Sequence, residues 1–413
     1  MEVNEDNILF FTNWSFNEGL IQAYTLPYVT IIQNIRKKGF LYLVTEEKEF
    51  SKIDQKEIDE KNKSLFEYRV VWKPRPYLPL GWKKGFSILK ELGLWSTFVL
   101  KKKIKIFHSL CSPAGVYAYL LSFLVFKRRR LIIDSFEPHS YYMEESGVWN
   151  RKSLAYRFLF FMEKRMVKRA DFVIGATNSM KEFSARVYGA KNTNDFFVKP
   201  ACVDLDKFKF SDEDRKAIRN LFDLDGETII GVYVGKFGGI YLSNEIFDFF
   251  RQAYDFWEQK FFLLVLSPQG KEEIVNLCRE SGFPEAALLL KNVPHTEVKK
   301  YLSAADFGLC PVKPSPSRKY CTPIKNGEYW ATGLPIIITK EISDDSDIIE
   351  KEDGGVVIQE LDGDGYKEAL SKLDHLLKMY TKNELRYHIR RIANEYRNFN
   401  IAFDIYSKIY TKN

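Results

Sequence analysis

Short apolar runs alternate with longer stretches in which apolar residues recur every three or four positions, along nearly the whole chain. The runs at 7–12, 41–44, 68–72, 104–108, 131–134 and 172–175 read as buried strands, and the stretches at 20–38, 113–126 and 153–169 as helices between them. A second series begins with a strand at 228–234. Further strands follow at 261–266, 287–290, 307–310 and 335–339, with helices at 243–258, 271–281 and 296–304 and another starting near Ile324. Strands and helices alternating at this spacing predict parallel, doubly wound sheets. The pattern therefore predicts an N-terminal domain over 1–200, a second over 201–385, and a C-terminal helix over 386–413 packing back across the junction. Two such sheets face a cleft with their carboxyl ends, so candidate chemistry is sought in the loops after strands.

Composition agrees with a folded chain of 413 residues: 45% is apolar, too much for disorder. The five cysteines (Cys111, Cys202, Cys278, Cys310 and Cys321) are scattered, with neither disulfide-scaffold nor metal-ligand spacing, which suits a reducing, cytoplasmic setting. The acidic start differs from a secretory signal. The apolar run at 110–126 is short for a bilayer span and is interrupted by Ser112, Pro113 and Gly115, so it reads as a buried helix.

Charge is distributed unevenly. Residues 1–200 hold 33 Lys and Arg against 21 Asp and Glu, whereas residues 201–413 hold 29 against 34. A basic belt includes Lys83, Lys84, Lys101–Lys103, Lys105 and Lys127–Arg130, with Trp82, Phe86, Trp95 and Phe98 interleaved. The belt suits the surface of an anionic membrane at its inner, cytoplasmic face, or is an ordinary solvated face. No recognisable module for nucleic acid accompanies it.

The segment from Thr322 to Thr339 carries the densest chemistry. Pro323 suits a helix start, whose free amides can hold a phosphate, and Lys325 adds a charge there. Glu328 lies on the same helical face and can accept hydrogen bonds from a vicinal diol such as ribose. A capped helix with an exposed Lys325–Glu328 ion pair is the competing reading. The segment resembles the donor-site motif of the retaining glycosyltransferase family 4, enzymes of the GT-B fold, in the branch with Pro-x-Lys-x-x-Glu-Tyr-x-Ala-x-Gly-x-Pro. Those positions are Pro323, Lys325, Glu328, Tyr329, Ala331, Gly333 and Pro335. Val232-Tyr-Val-Gly-Lys-Phe237 resembles that family's phosphate loop, and residues 291–306 its base-binding turn and following helix. Asp134-Ser-Phe-Glu-Pro-His139, Gly147-Val-Trp149 and residues 163–171 resemble one subgroup's first domain.

The resemblance implies two Rossmann-like domains and a nucleotide-diphosphate-sugar co-substrate, linked to UDP or GDP, with no other cofactor and no metal. It implies that Glu328 holds the ribose and that Lys236 neutralises the departing diphosphate. Asn292 and Val293 match the base turn, Gly19 and Gly235 lie in phosphate-approaching loops, and Thr322 opens the donor motif. His139 and Glu137 fall where the first domain reaches the sugar. Two positions depart from the pattern. Tyr320 stands where a second Glu is usual, and Leu242 where a second basic residue is frequent, a charge that Lys325 is a candidate to replace. Asp223/Asp225 and Asp362/Asp364 read as turn carboxylates rather than a metal motif. His108 is a weaker cleft candidate, His295 reads as surface, and His375 and His388 as structural. The implied function is transfer of a sugar, with retention, to a lipid-linked or glycan acceptor in cell-surface polysaccharide synthesis. A sugar-nucleotide 2-epimerase of the same fold and a non-catalytic nucleotide-sugar-binding protein are the alternatives. A nicotinamide dehydrogenase is disfavoured, because residues 12–19 hold a single glycine.

Overall fold

The computed structural model describes residues 5–77, 82–190 and 195–411, with the side chains of 82–89 excepted. The chain divides into two compact units, Met1–Pro200 with Asn400–Asn413, and Ala201–Phe399.

Unit 1 is built on seven strands: β1 (Asn7–Phe11), β2 (Leu41–Glu47), β3 (Val70–Pro76), β4 (Ile104–Leu110), β5 (Arg130–Phe136), β6 (Phe172–Gly175) and β7 (Phe196–Val198). They pair in the order β3-β2-β1-β4-β5-β6-β7, every pair parallel. Both faces are covered by helices, so a strand such as β1 reads as a continuous apolar run, with Ile8 to Phe11 fully buried. The order reverses between β1 and β4, the switch point at which such sheets open a crevice.

Unit 2 has six strands: β8 (Ile229–Val234), β9 (Phe261–Leu266), β10 (Leu288–Lys291), β11 (Phe307–Cys310), β12 (Ile336–Thr339) and β13 (Gly355–Ile358). Their order is β10-β9-β8-β11-β12-β13, again all parallel. Period-two alternation splits the core into two layers. Ile230, Val232, Leu264 and Ile336 face one side, and Tyr233, Leu263, Val265 and Ile337 the other. The switch point here lies between β8 and β11.

Several elements differ from the sequence pattern. β3 runs through Pro74 and Pro76, which an edge strand tolerates because one side of its backbone needs no ladder bond. The terse runs of β7 and β13 form the last strands of their sheets. The C-terminal stretch forms two helices, Lys382–Tyr396 and Phe399–Thr411. The break falls at Arg397, whose carbonyl accepts the Val203 amide at 2.8 Å and whose guanidinium is committed to Asp345 and to the Ala201 carbonyl. Beyond it, Tyr406 and Tyr410 are buried in unit 1.

Candidate functional site

The helix Ile324–Thr332 in unit 2 starts at Pro323, ends at Gly333 in the left-handed region (φ 84°), and buries every residue from Lys325 onward. Lys325 is not an exposed ion-pair member. Its Nζ lies 4.0 Å from the Tyr241 ring centroid and 4.5 Å from that of Tyr233. No described residue meets it in hydrogen-bonding geometry. Burial disfavours its charge, but Tyr233 and Tyr241 outweigh that and hold the amine above the ordinary lysine range. A positive charge thus sits at the carboxyl end of β8 with capacity to donate to an anion.

The loop after β8 is built around this amine. Gly235 has φ 143°, and a Cβ there would stand 3.0 Å from Lys325 Nζ, so only glycine leaves the approach open. The Tyr233 hydroxyl donates to the Lys236 carbonyl at 2.6 Å, and the Phe237 amide donates to Gln269 Oε1 at 2.9 Å. The Lys236 side chain is exposed. Leu242 is buried in the core, so no charge comes from that position.

Glu328 is buried, and its Oε1 lies 2.7 Å from His295 Nε2. His295, read from sequence as a surface residue, is instead half-buried against Phe208, with ring centroids 5.6 Å apart. It begins the helix His295–Ala304 directly after the turn holding exposed Asn292 and half-buried Val293. That turn and the Glu328 carboxylate therefore share a neighbourhood. Thr322 Oγ1 accepts a 3.4 Å hydrogen bond from Ser343, and Tyr320 is buried. Asn326 donates to Asp345 at 2.7 Å, and Asp345 pairs with Arg397. Burial raises the Asp345 carboxyl, with Arg397 opposing. This triad orients the helix start and was not singled out from sequence. Asp225 accepts from the Thr228 and Glu227 amides, and Asp362 caps the helix Gly363–Met379, so these two carboxylates serve a turn and a helix start.

In unit 1, Gly19 is exposed, and a Cβ there would meet nothing within 4 Å. The preceding loop is held by β2: Glu46 accepts from the Asn13 side chain and Glu47 from the Phe16 amide. After β5, His139 Nδ1 lies 3.3 Å from Glu137 Oε1 and the His139 ring stacks on Tyr142. Burial lowers the imidazole pKa, yet Glu137 outweighs it and the net shift is upward. Glu163 supports this helix start, accepting from the Ser140 amide at 3.0 Å, the Ser140 hydroxyl at 2.6 Å and Tyr188 at 2.9 Å. His108 does not reach an open edge. It is fully buried between Tyr410, 2.6 Å from Nδ1, and Asp134, 3.3 Å from Nε2. His375 is exposed, and His388 Nε2 lies 2.8 Å from the Glu352 carbonyl.

Residues 231–375 match a family model described as Glycosyl transferases group 1. No curated protein matches the chain by sequence. Solved structures match its whole length. The sucrose-phosphate synthase of Thermosynechococcus elongatus has 15% identity and TM-score 0.73, covering 98% of each chain. Anabaena Alr3699/HepE in complex with UDP-glucose has 13% identity and TM-score 0.68, covering 98% of this chain and 100% of that one. WaaG, a glycosyltransferase involved in lipopolysaccharide biosynthesis, has 13% identity and TM-score 0.67 with the same coverage. The fold is thus GT-B, two Rossmann-like parallel-sheet domains. With the family match in unit 2, it supports a place in the GT-B glycosyltransferase superfamily.

Proposed function

We propose that the protein is a retaining glycosyltransferase that moves a sugar from a UDP- or GDP-linked donor to a lipid-linked or glycan acceptor in cell-surface polysaccharide synthesis. The observation that carries this reading is the buried, hydrogen-bond-free amine of Lys325 beside Gly235 at the end of β8. A nucleoside diphosphate gains negative charge as it leaves, and a preorganised cation with exposed Lys236 nearby in sequence stabilises that charge without a metal. Glu328, oriented by His295, accepts from the ribose hydroxyls, and the turn at Asn292 and Val293 takes the base. Thr322 opens the helix start that faces the diphosphate.

In this reading His139, Glu137 and Gly19 serve the sugar and phosphates, and the leaving phosphate takes the acceptor proton as the acceptor attacks from the same face. The neighbour HepE was solved with UDP and UDP-glucose, which is the ligand class proposed here. The basic N-terminal unit fits a cytoplasmic protein working at the inner membrane face. Among the described residues no helix is long and apolar enough to cross a membrane.

A thermal-shift screen with UDP, GDP and their sugars tests the donor site, since a ligand of the native state raises the melting temperature. A product assay with the shifting donor tests the reaction. Nucleotide released only with acceptor supports transfer, and an epimerised sugar without acceptor supports the 2-epimerase instead. Donor binding with no turnover across an acceptor panel supports the non-catalytic reading.

A further inference from the structure

Helix Leu154–Arg169 in unit 1 has two unlike faces. Tyr156, Leu159, Met162, Met166 and Val167 are buried, as is Glu163, its only acidic residue. The opposite face exposes Leu154 by 82%, Phe158 by 56% and Phe161 by 53%. Between them stand exposed Arg157, Lys164, Arg165 and Lys168, none in an ion pair with a described residue.

The face continues onto a neighbouring element. Arg169 lies 4.4 Å from the ring centroid of Phe123 and hydrogen-bonds Ser122 at 3.2 Å, and Arg165 lies 5.2 Å from that of Phe161. Phe123 belongs to helix Ser112–Leu124, which leads into Phe126, 98% exposed, and the basic residues Lys127 to Arg129. Exposed aromatic rings and cations thus alternate on one surface, and of these cations Arg128 is held by Asp171 at 2.6 Å.

The part of the expected belt at 82–105 behaves differently from Lys127–Arg129, which join this face. Trp95 packs edge-on against Phe11 at 5.8 Å and Phe98 against Tyr42 at 5.1 Å, so both are used inside unit 1. Lys105 is paired with Asp6. Lys83, Lys84, Trp82 and Phe86 have side chains outside the described residues.

We propose that the face formed by helix Leu154–Arg169 and residues 123–129 docks on an anionic lipid bilayer. Charge complementarity selects this occupant. A dry protein interface would strip water from four unpaired cations, whereas a headgroup layer keeps them at phosphates while the rings enter the acyl boundary. The surface sharpens the membrane side of the proposed function but does not depend on the donor site.

Co-sedimentation of the full chain with vesicles tests it, comparing pure phosphatidylcholine with an equal mixture of phosphatidylcholine and phosphatidylglycerol. The expected result is salt-sensitive binding to the mixed vesicles alone. Phe158→Ser with Phe161→Ser, and separately Lys164→Glu with Lys168→Glu, should each weaken it by about tenfold or more. Lys101→Glu with Lys102→Glu should leave it nearly unchanged. Equal binding to both vesicles, binding to neither, wild-type binding by both face variants, or loss confined to the Lys101/Lys102 variant would each overturn the proposal. So would a dimer in solution that the Phe158/Phe161 variant dissociates. The nucleotide thermal shift is read on the same samples. A shift without vesicle binding sinks the docking face alone, and vesicle binding without a shift sinks the transferase reading alone.

Discussion

The Tyr329 hydroxyl accepts the amide hydrogen of Val234 at 3.0 Å. One phenol thereby ties the helix that presents Glu328 to the strand end that leads into Gly235. The ring fits only because Gly308 on β11 has no side chain: a Cβ there would stand 2.5 Å from it. Tyr329→Phe keeps the ring and orphans the amide. It should cost about 1–3 kcal/mol of stability and loosen the Gly235 loop, raising the donor dissociation constant. Urea denaturation and calorimetric titration with the donor identified by thermal shift measure the two effects. An unchanged donor affinity in a destabilised protein would show that the bond serves the core alone.

Glu328 and His295 give a ligand-specific prediction. If the carboxylate accepts from the ribose diol, Glu328→Ala should weaken nucleoside diphosphate binding by roughly tenfold or more. The same variant should bind the 2′,3′-dideoxy analogue as the wild type does. His295→Ala should give a smaller loss of the natural ligand, since it frees the carboxylate without removing it. Equal losses for the natural and dideoxy ligands would assign Glu328 a structural role.

Lys325 separates charge from packing. Lys325→Met keeps an unbranched apolar chain between Tyr233 and Tyr241 and removes the ammonium. Removing a buried cation that has no carboxylate partner should leave stability unchanged or raise it. Loss of a charge that acts mainly as the diphosphate departs should lower kcat by about 100-fold or more, with a smaller change in KM. A drop in melting temperature with kcat intact would contradict the assignment.

Most of the architecture was legible because parallel strands covered on both faces are written as unbroken apolar runs, as β1 and β9 are. β3 was placed early because Pro74 and Pro76 argue against a strand until its edge position is known. The break at Arg397 was invisible because its partners, Val203 and Asp345, are distant in the chain. The site divides in the same way. Pro323, Lys325 and Glu328 lie within one helical turn or two and could be read together. The His295–Glu328 contact spans 33 residues, and the seat of Lys325 depends on rings from the β8 end and the loop beyond it. Spacing in the chain carries no information about such encounters.

Glu163 links the helix start that carries His139 to pH. Burial pushes its carboxyl up to about 7 from an ordinary 4.5, against three donors from Ser140 and Tyr188 that favour the charged form. Between pH 4.5 and about 7 the native state therefore keeps a proton that the unfolded chain has released. Stability falls as pH rises through that window, by about 3 kcal/mol in all. Glu163→Gln mimics the protonated form. Its amide can donate to the two hydroxyls, which turn to accept, while its carbonyl keeps the Ser140 amide. Wild type and variant should therefore melt at similar temperatures near pH 5. The wild type should melt below the variant at pH 8, with the gap opening across the window. Melting curves that run parallel from pH 5 to pH 8 would mean that Glu163 is ionised throughout and that its three donors overcome burial.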